Sequence, residues 1–128
     1  MINRRPYIAE SAIRPGTAVV QGSEDNKVSA PGDKGEGDFI GLYPFEANEA
    51  KEVDETIGIV LHGVAKAVVG DQVTAGKKAV LSKDSSGSLK QMPESVGKFN
   101  TVGTFLESGN AGDYVDVLIE RGSVTVTS

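Results

Sequence analysis

The chain has 128 residues and a formal net charge of −5, with 13 Lys and Arg against 18 Asp and Glu, no Cys and a single His. A chain of this length usually forms one domain and can bury enough apolar surface to fold without disulfides or a structural metal. The composition excludes a disulfide framework, a thiolate zinc site, an iron–sulfur cluster, a Cys nucleophile and a metal site built on two His. The negative charge argues against direct binding to nucleic acid, where affinity comes mainly from neutralised phosphates.

The first 15 residues differ in charge from the rest of the chain. Arg4, Arg5 and Arg14 against Glu10 give this segment +2, which leaves −7 for the remainder. Such a segment is either an arm that docks on an acidic partner or a solvated terminus, and composition alone favours the terminus. We predict an extended arm over residues 1–15 that is disordered before binding, and a single β domain over residues 16–128. No stretch suits a secretory signal or a membrane span, so we expect no membrane partner.

Short apolar runs separated by Gly, Asp, Asn, Ser and Pro predict an all-β fold, either a small Gly-rich β-barrel or a β-sandwich. The acidic stretch 46–55 is interpreted as a loop with at most one helical turn. A turn is expected at residues 121–122, before a last short strand. The other predicted strands cover residues 17–21, 27–29, 39–43, 78–82, 88–92, 99–106 and 114–120.

The most apolar segment runs from Thr56 to Val69. In a strand, alternate side chains point to opposite faces. One face then carries Ile57, Ile59 and Leu61, and the other carries Val60, His62 and Val64. Apolar residues on both faces indicate burial on both sides, either at the centre of a sandwich or at a subunit interface. Gly63 predicts a bulge or bend that divides the segment into two strands.

Three patterns that resemble chemical sites have simpler structural explanations. The segment 70–78 contains two Gly and a Lys, but the spacing of a phosphate loop and its Ser or Thr are missing. His62 lies in an apolar run without a recognisable nucleophile, which favours a packed or interface His over a general base. Lys66 interrupts the same run, as a Lys that protects a sheet edge does.

The predicted turn at residues 83–87 gives two further candidates. Asp84 and its neighbours resemble the start of a calcium loop, but the spaced acidic residues and the closing Glu are absent. Lys83 and Lys90 flank the hairpin where a lipoyl or biotinyl domain would present its modified Lys, yet neither has the matching neighbours. We therefore expect no catalytic residue, no metal and no cofactor, and a protein that is not an enzyme.

The order of the motifs resembles that of the small phage capsid cement proteins, also called head decoration proteins. Each motif alone is a common β-turn pattern, and the specificity lies in the order and spacing over residues 16–120. Lys51 departs from the pattern, since a Gly is expected there. The motifs are Gly16-Thr-Ala-Val19, Phe39-Ile-Gly41-Leu, Glu46-Ala-Asn-Glu-Ala50, Val60-Leu-His-Gly63, Gly70-Asp-Gln-Val-Thr-Ala-Gly76, Asp84-Ser-Ser-Gly87 and the long match Val102 to Ile119.

The resemblance implies a structural protein made in the host cytoplasm and located on the outer surface of the virion capsid. Its implied partners are the major capsid protein and itself, as a homotrimer at three-fold or quasi-three-fold positions that stabilises the expanded head. Under this hypothesis the arm binds the capsid through Arg4, Arg5, Tyr7 and Arg14. The oligomer interface is predicted to contain Ile57, Ile59, Leu61, His62 and Val64.

Two alternatives remain open on the sequence. One is another structural piece of the virion, such as part of a fibre or a tail. The other is a small β-barrel that serves as a carrier or as a binding module.

Overall fold

The computed structural model describes residues 3–32, 37–47, 49–84 and 86–127. The predicted all-β class is confirmed, and the helical turn expected near the acidic stretch is a short 3-10 helix at Phe45–Ala47. The strands are β1 (Asn3–Ala9), β2 (Ala18–Gln21), β3 (Lys27–Ser29), β4 (Phe39–Leu42), β5 (Thr56–Val68), β6 (Lys78–Leu81), β7 (Leu89–Gln91), β8 (Gly97–Phe105) and β9 (Tyr114–Val126).

Five of the strands close into a barrel, which decides between the barrel and the sandwich. Their order is β1-β3-β2-β4-β5, and β1 pairs with β5 to complete the ring. The closing pair is antiparallel and extends from Arg4 opposite Val60 to Ile8 opposite Thr56. Only the β1–β3 pair is parallel. Because the ring is closed, these strands have few unpaired edges that could recruit another chain.

The remaining strands form a second sheet that continues from the barrel in the order β5-β9-β8-β6-β7. All of its strand pairs are antiparallel. The sheet curls back towards its start, where Val69 forms a parallel bridge with Leu89 and the Gly70 N–H donates to the Leu89 carbonyl at 2.9 Å. The curl encloses a core that includes Phe105 and Ile119, and the barrel strands β2 and β4 contribute Ala18 and Leu42 to it.

Strand β5 belongs to both sheets and explains the segment that is apolar on both faces. Ile57 and Ile59 are buried in the barrel core, and Val60 and Ala65 are buried in the core of the second sheet. Gly63 has a φ of +118°, a conformation that side-chain-bearing residues rarely adopt. The predicted division of the segment at Gly63 is wrong, since β5 is one continuous strand of 13 residues.

Strand β9 is also longer than predicted. No turn forms at Arg121 and Gly122, because β9 continues to Val126 and stays paired with β8 from Thr101 opposite Gly122 to Gly97 opposite Val126. A register shift between Thr101 and Gly103 accommodates the one extra residue that β9 has in this part of the pair. The polar Arg-Gly pair was interpreted as a turn because a bulge within a long ribbon has the same local composition.

The expectation of a disordered arm is wrong for the described residues. Residues 3–9 are β1, a strand of the barrel, and Ile13 forms a bridge with Lys51. Tyr7, Ala9 and Ile13 are all buried, with Tyr7 only 5% exposed. Residues far away in the sequence make this segment a strand, since most of β1 pairs with β5, which begins about 50 residues later. Among the described residues there is no helix long and apolar enough to cross a membrane.

Candidate interaction surfaces

The four predicted capsid-binding residues do not lie together on one exposed surface. Arg4 and Arg5 are exposed on β1, while Tyr7 is buried in the barrel. The Arg5 guanidinium carbon lies 5.0 Å from the centroid of the Tyr7 ring, a cation–π distance. Arg14 follows β1 and lines a small separate groove with Phe45 and Tyr114. Arg4 and Arg5 are thus available to a partner, whereas the Tyr7 side chain supports the fold.

The five predicted interface residues are divided in the same way. Ile57 and Ile59 have no exposed surface, because the barrel core of the same chain covers them. Leu61 is partly buried against that core. His62 and Val64 are exposed on the outer face of β5, with Val64 45% exposed. A second copy of the chain could therefore contact His62 and Val64 but could not reach the two Ile side chains in this fold.

The outer face of β5 also carries charged pairs. The Nε2 atom of His62 lies 3.6 Å from a carboxylate oxygen of Glu120. Lys66 lies 3.1 Å from Asp116 and 3.5 Å from Glu107. The hydrogen bond to Asp116 raises the pKa of Lys66, and Glu107 adds to the effect. Lys66 lies opposite Asp116 in the β5–β9 pair, so its ammonium group is held by carboxylates of the same face, and the interpretation that it protects a sheet edge stays a prediction.

The turn at Asp84 is held by its own hydrogen bonds. The Asp84 carboxylate accepts from the backbone N–H and the hydroxyl of Ser86, which lowers the pKa of Asp84. The hydroxyls of Ser86, Ser88 and Ser82 continue as a chain into the protein. The described part of the chain contains no group of three acidic or His side chains placed to hold a metal ion.

A groove that sequence reasoning missed opens between the barrel and the second sheet. We call it the basic groove; it has a volume of about 890 Å³. Among the described residues, its basic side chains are Lys83, Lys90, Lys98 and Arg121, and Asp38 is the one acidic residue of the lining. The lining thus carries +3 and the rest of the chain −8. Its apolar part consists of Phe39, Ile40, Val80, Leu81, Phe99 and Val102.

The basic residues of this groove come from different parts of the chain, which is why the sequence did not reveal it. Lys83 follows β6, Lys90 lies on β7, Lys98 on β8 and Arg121 on β9. Arg121 also donates from Nη1 to the Phe39 carbonyl at 3.3 Å, which connects the second sheet to the barrel. Lys83 and Lys90, the two candidate carrier lysines, both line this groove. A carrier domain would instead present one modified Lys at a hairpin tip.

Comparison with known proteins gives a likeness of fold. No protein-family model and no curated protein matches the chain. Among solved structures, the chain is similar to the head fiber gp8.5 N base of bacteriophage phi29, with a TM-score of 0.61 and 13% sequence identity. The superposition covers 97% of this chain and 98% of that chain. Because the two sequences differ so strongly, what the likeness shows is a common fold that includes both sheets.

Proposed function

We propose that the chain is a structural protein of a phage virion that associates with the phage head. The observation that carries the proposal is the fold, which matches a head fiber base over 97% of this chain and 98% of that one. The order of the sequence motifs supports the same class. The two lines are independent, because one uses residue spacing and the other uses strand positions. The proposed role is structural and involves no enzymatic reaction.

In its finer form, the proposal places the protein on the outer surface of an icosahedral capsid, bound to the major capsid protein. Arg4 and Arg5 support it, since both are exposed, cationic and held on a strand of a closed barrel. The backbone that carries them is already ordered as a strand, so binding costs little additional backbone entropy. We propose a homotrimer that contacts itself through the exposed His62 and Val64 and stabilises the expanded head by bridging capsid subunits. Three linked copies strengthen weak individual contacts.

Co-sedimentation with expanded, undecorated phage heads tests the proposal. We expect the full chain to pellet with heads and to appear as regular knobs on the outer surface by electron microscopy. The double variant Arg4→Glu, Arg5→Glu should pellet at least about tenfold less, because it reverses two exposed charges. A matched control is Lys51→Glu, Lys77→Glu, which makes the same change in net charge elsewhere. A folded chain that does not pellet with heads would remove the proposal.

A second candidate function is the base of a fibre attached to the head. The specific observation in its favour is that the similar solved structure is itself the base of a head fiber. The two candidates differ in what electron microscopy of virions carrying the protein would show. Isolated knobs favour a decoration protein, and a projection continuing outward from each knob favours a fibre base.

A further inference from the structure

We propose that the basic groove binds an extended acidic segment of a partner protein, which adds as a strand to the free edge of β8. The inference rests on the proposed function only for the identity of the partner, a protein of the phage head. Three properties of the groove support it: its positive charge, an unpaired strand edge and an apolar surface.

The charge of the groove is opposite to that of the rest of the chain. Lys83, Lys90 and Lys98 take part in none of the ion pairs within the described residues. Arg121 is held at the groove by its hydrogen bond to the Phe39 carbonyl. Among the described lining residues, three cations on different strands and Lys83 just after β6 stand against Asp38, which gives a local excess of positive charge. A cleft concentrates the field of the charges along its walls. An acidic ligand is the complement of such a site.

A free strand edge lies in the same groove. On one side, the first half of β8 pairs with β9, from Gly97 opposite Val126 to Thr101 opposite Gly122. On its other side β8 pairs with β6 only at Thr104 and Gly103, and no strand in the described part of the chain continues that pairing to residues 97–101. Every second residue of an edge strand directs its N–H and C=O outwards, so this edge can form main-chain hydrogen bonds with an added strand.

The space beside this edge exists because two strand pairs diverge. Strand β6 turns towards β7, with Leu81 opposite Leu89, while β8 stays with β9. The residues from Lys98 to Val102 all line the opening that results, together with Val80 and Leu81 of β6. The opening is therefore bordered by the free edge itself, and an extended peptide laid in it runs alongside β8.

The groove also offers contacts for apolar side chains. Phe39, Ile40, Leu81 and Phe99 line it and are only partly buried in the isolated chain. In an added strand, alternate side chains point to opposite sides. A segment in which acidic and apolar residues alternate can therefore place one row against the aromatic and aliphatic lining and the other row near the Lys side chains.

A nucleic acid fits these observations less well than a protein segment. Charge does not separate the two ligands, because the −8 on the remainder of the chain repels a polyphosphate and an acidic peptide alike. A free edge of β8 contributes nothing specific to a nucleic acid, whereas it offers a peptide a ladder of main-chain hydrogen bonds.

Binding of a labelled peptide to the full-length protein tests the inference. The probe is a fluorescent seven-residue peptide of alternating Glu and Val, measured by fluorescence anisotropy at low salt and at 0.5 M salt. We expect Lys98→Glu to weaken binding at least about tenfold and Lys77→Glu, an exposed residue outside the groove, to change it less than about twofold. Replacing Glu by Gln in the peptide should weaken binding as Lys98→Glu does. N-methylation of alternate peptide nitrogens should also abolish binding, because it removes the donors of the ladder.

Several results would overturn the inference. Equal binding of the Glu and Gln peptides would refute the electrostatic part, and equal binding of the N-methylated peptide would refute strand addition. Tighter binding of an oligothymidylate than of the acidic peptide would make the groove a nucleic-acid site instead. The partner is tested separately by co-sedimentation with heads. If the unaltered chain pellets with heads and Lys98→Glu pellets equally well, the head is not the partner, whereas failure of the unaltered chain to pellet removes the proposed function and leaves the peptide result standing.

Discussion

Single side chains connect segments of this fold that are remote in sequence. Glu10, just after β1, accepts hydrogen bonds from the Ser23 N–H at 2.8 Å and from the Ser23 hydroxyl at 2.9 Å. It thereby fixes the end of β1 to the turn between β2 and β3. Tyr43 makes a local connection, since its hydroxyl donates to the Glu49 carbonyl six residues later at 2.6 Å, and burial raises the pKa of this phenol.

Glu10 gives the protein a dependence on acid that can be measured. The hydrogen bonds from Ser23 lower the pKa of Glu10 in the folded state. The stability that Glu10 contributes is therefore present above about pH 4.3, the ordinary pKa of Glu, and is lost as the pH falls through the lower folded pKa. We expect Glu10→Gln to destabilise the protein at pH 7 and to have a much smaller effect at pH 2.5, in urea unfolding followed by circular dichroism.

The matched control for this prediction is Glu94→Gln. Glu94 is exposed, and it receives none of the side-chain hydrogen bonds or ion pairs among the described residues. Its substitution should leave the pH dependence as it is in the unaltered chain. An effect of Glu10→Gln that is the same at both pH values would mean that charge on Glu10 does not matter.

Among the elements, β1 has the largest difference between expectation and structure. It was expected to be an arm whose removal leaves a folded body. In the structure, it completes the barrel between β3 and β5 and contributes Tyr7 and Ala9 to the barrel core. Removing it would open the ring and expose the edges of both neighbouring strands.

We therefore expect a chain that lacks residues 1–9 to lose more than about 3 kcal/mol of unfolding free energy or to fail to fold, since burial of one large side chain alone contributes about 1.5–3 kcal/mol. Thermal unfolding followed by circular dichroism measures this. The variant Arg4→Ser, Arg5→Ser retains the strand and should melt within a few degrees of the unaltered chain. If the truncated chain melts at the same temperature as the full one, β1 is a dispensable arm after all.

The sequence was sufficient for the features that depend on local composition. Gly and Asp turns separated the strands correctly over most of the chain, and the alternation in residues 114–119 predicted the first half of β9. It was insufficient wherever pairing over a long range decides the outcome. Pro6 and the two Arg make β1 look like a solvated segment, and its pairing with the distant strands β3 and β5 makes it a strand. The basic groove was missed for the same reason, because its four cations come together only through the strand order β9-β8-β6-β7.

At the scale of the whole molecule, β5 contributes side chains to both cores, and the barrel strands β2 and β4 also contribute Ala18 and Leu42 to the core of the second sheet. Ile59 and Val60 are neighbours in the chain, yet Ile59 packs in the barrel core and Val60 in the core of the second sheet. Strand β5 is continuous from its pairing with β1 in the barrel to its pairing with β9, although the β1–β5 ladder has a register shift between Asn3 and Arg4. Loosening either core therefore disturbs the strand that the other core requires, and this favours a single cooperative transition.

This coupling predicts how substitutions in the two cores behave. Ile59→Ala affects the barrel core and Leu89→Ala the core of the second sheet, and each removes a fully buried side chain at a cost of about 2–5 kcal/mol. With one cooperative unit, either variant should lower the protection of the slowest-exchanging amides in both cores by the same free energy, as measured by native-state hydrogen exchange. Val96→Ala, at an exposed position, is the control and should change neither. If Ile59→Ala lowered protection in the barrel alone, the two sheets would unfold separately, and β5 would connect them without transmitting stability.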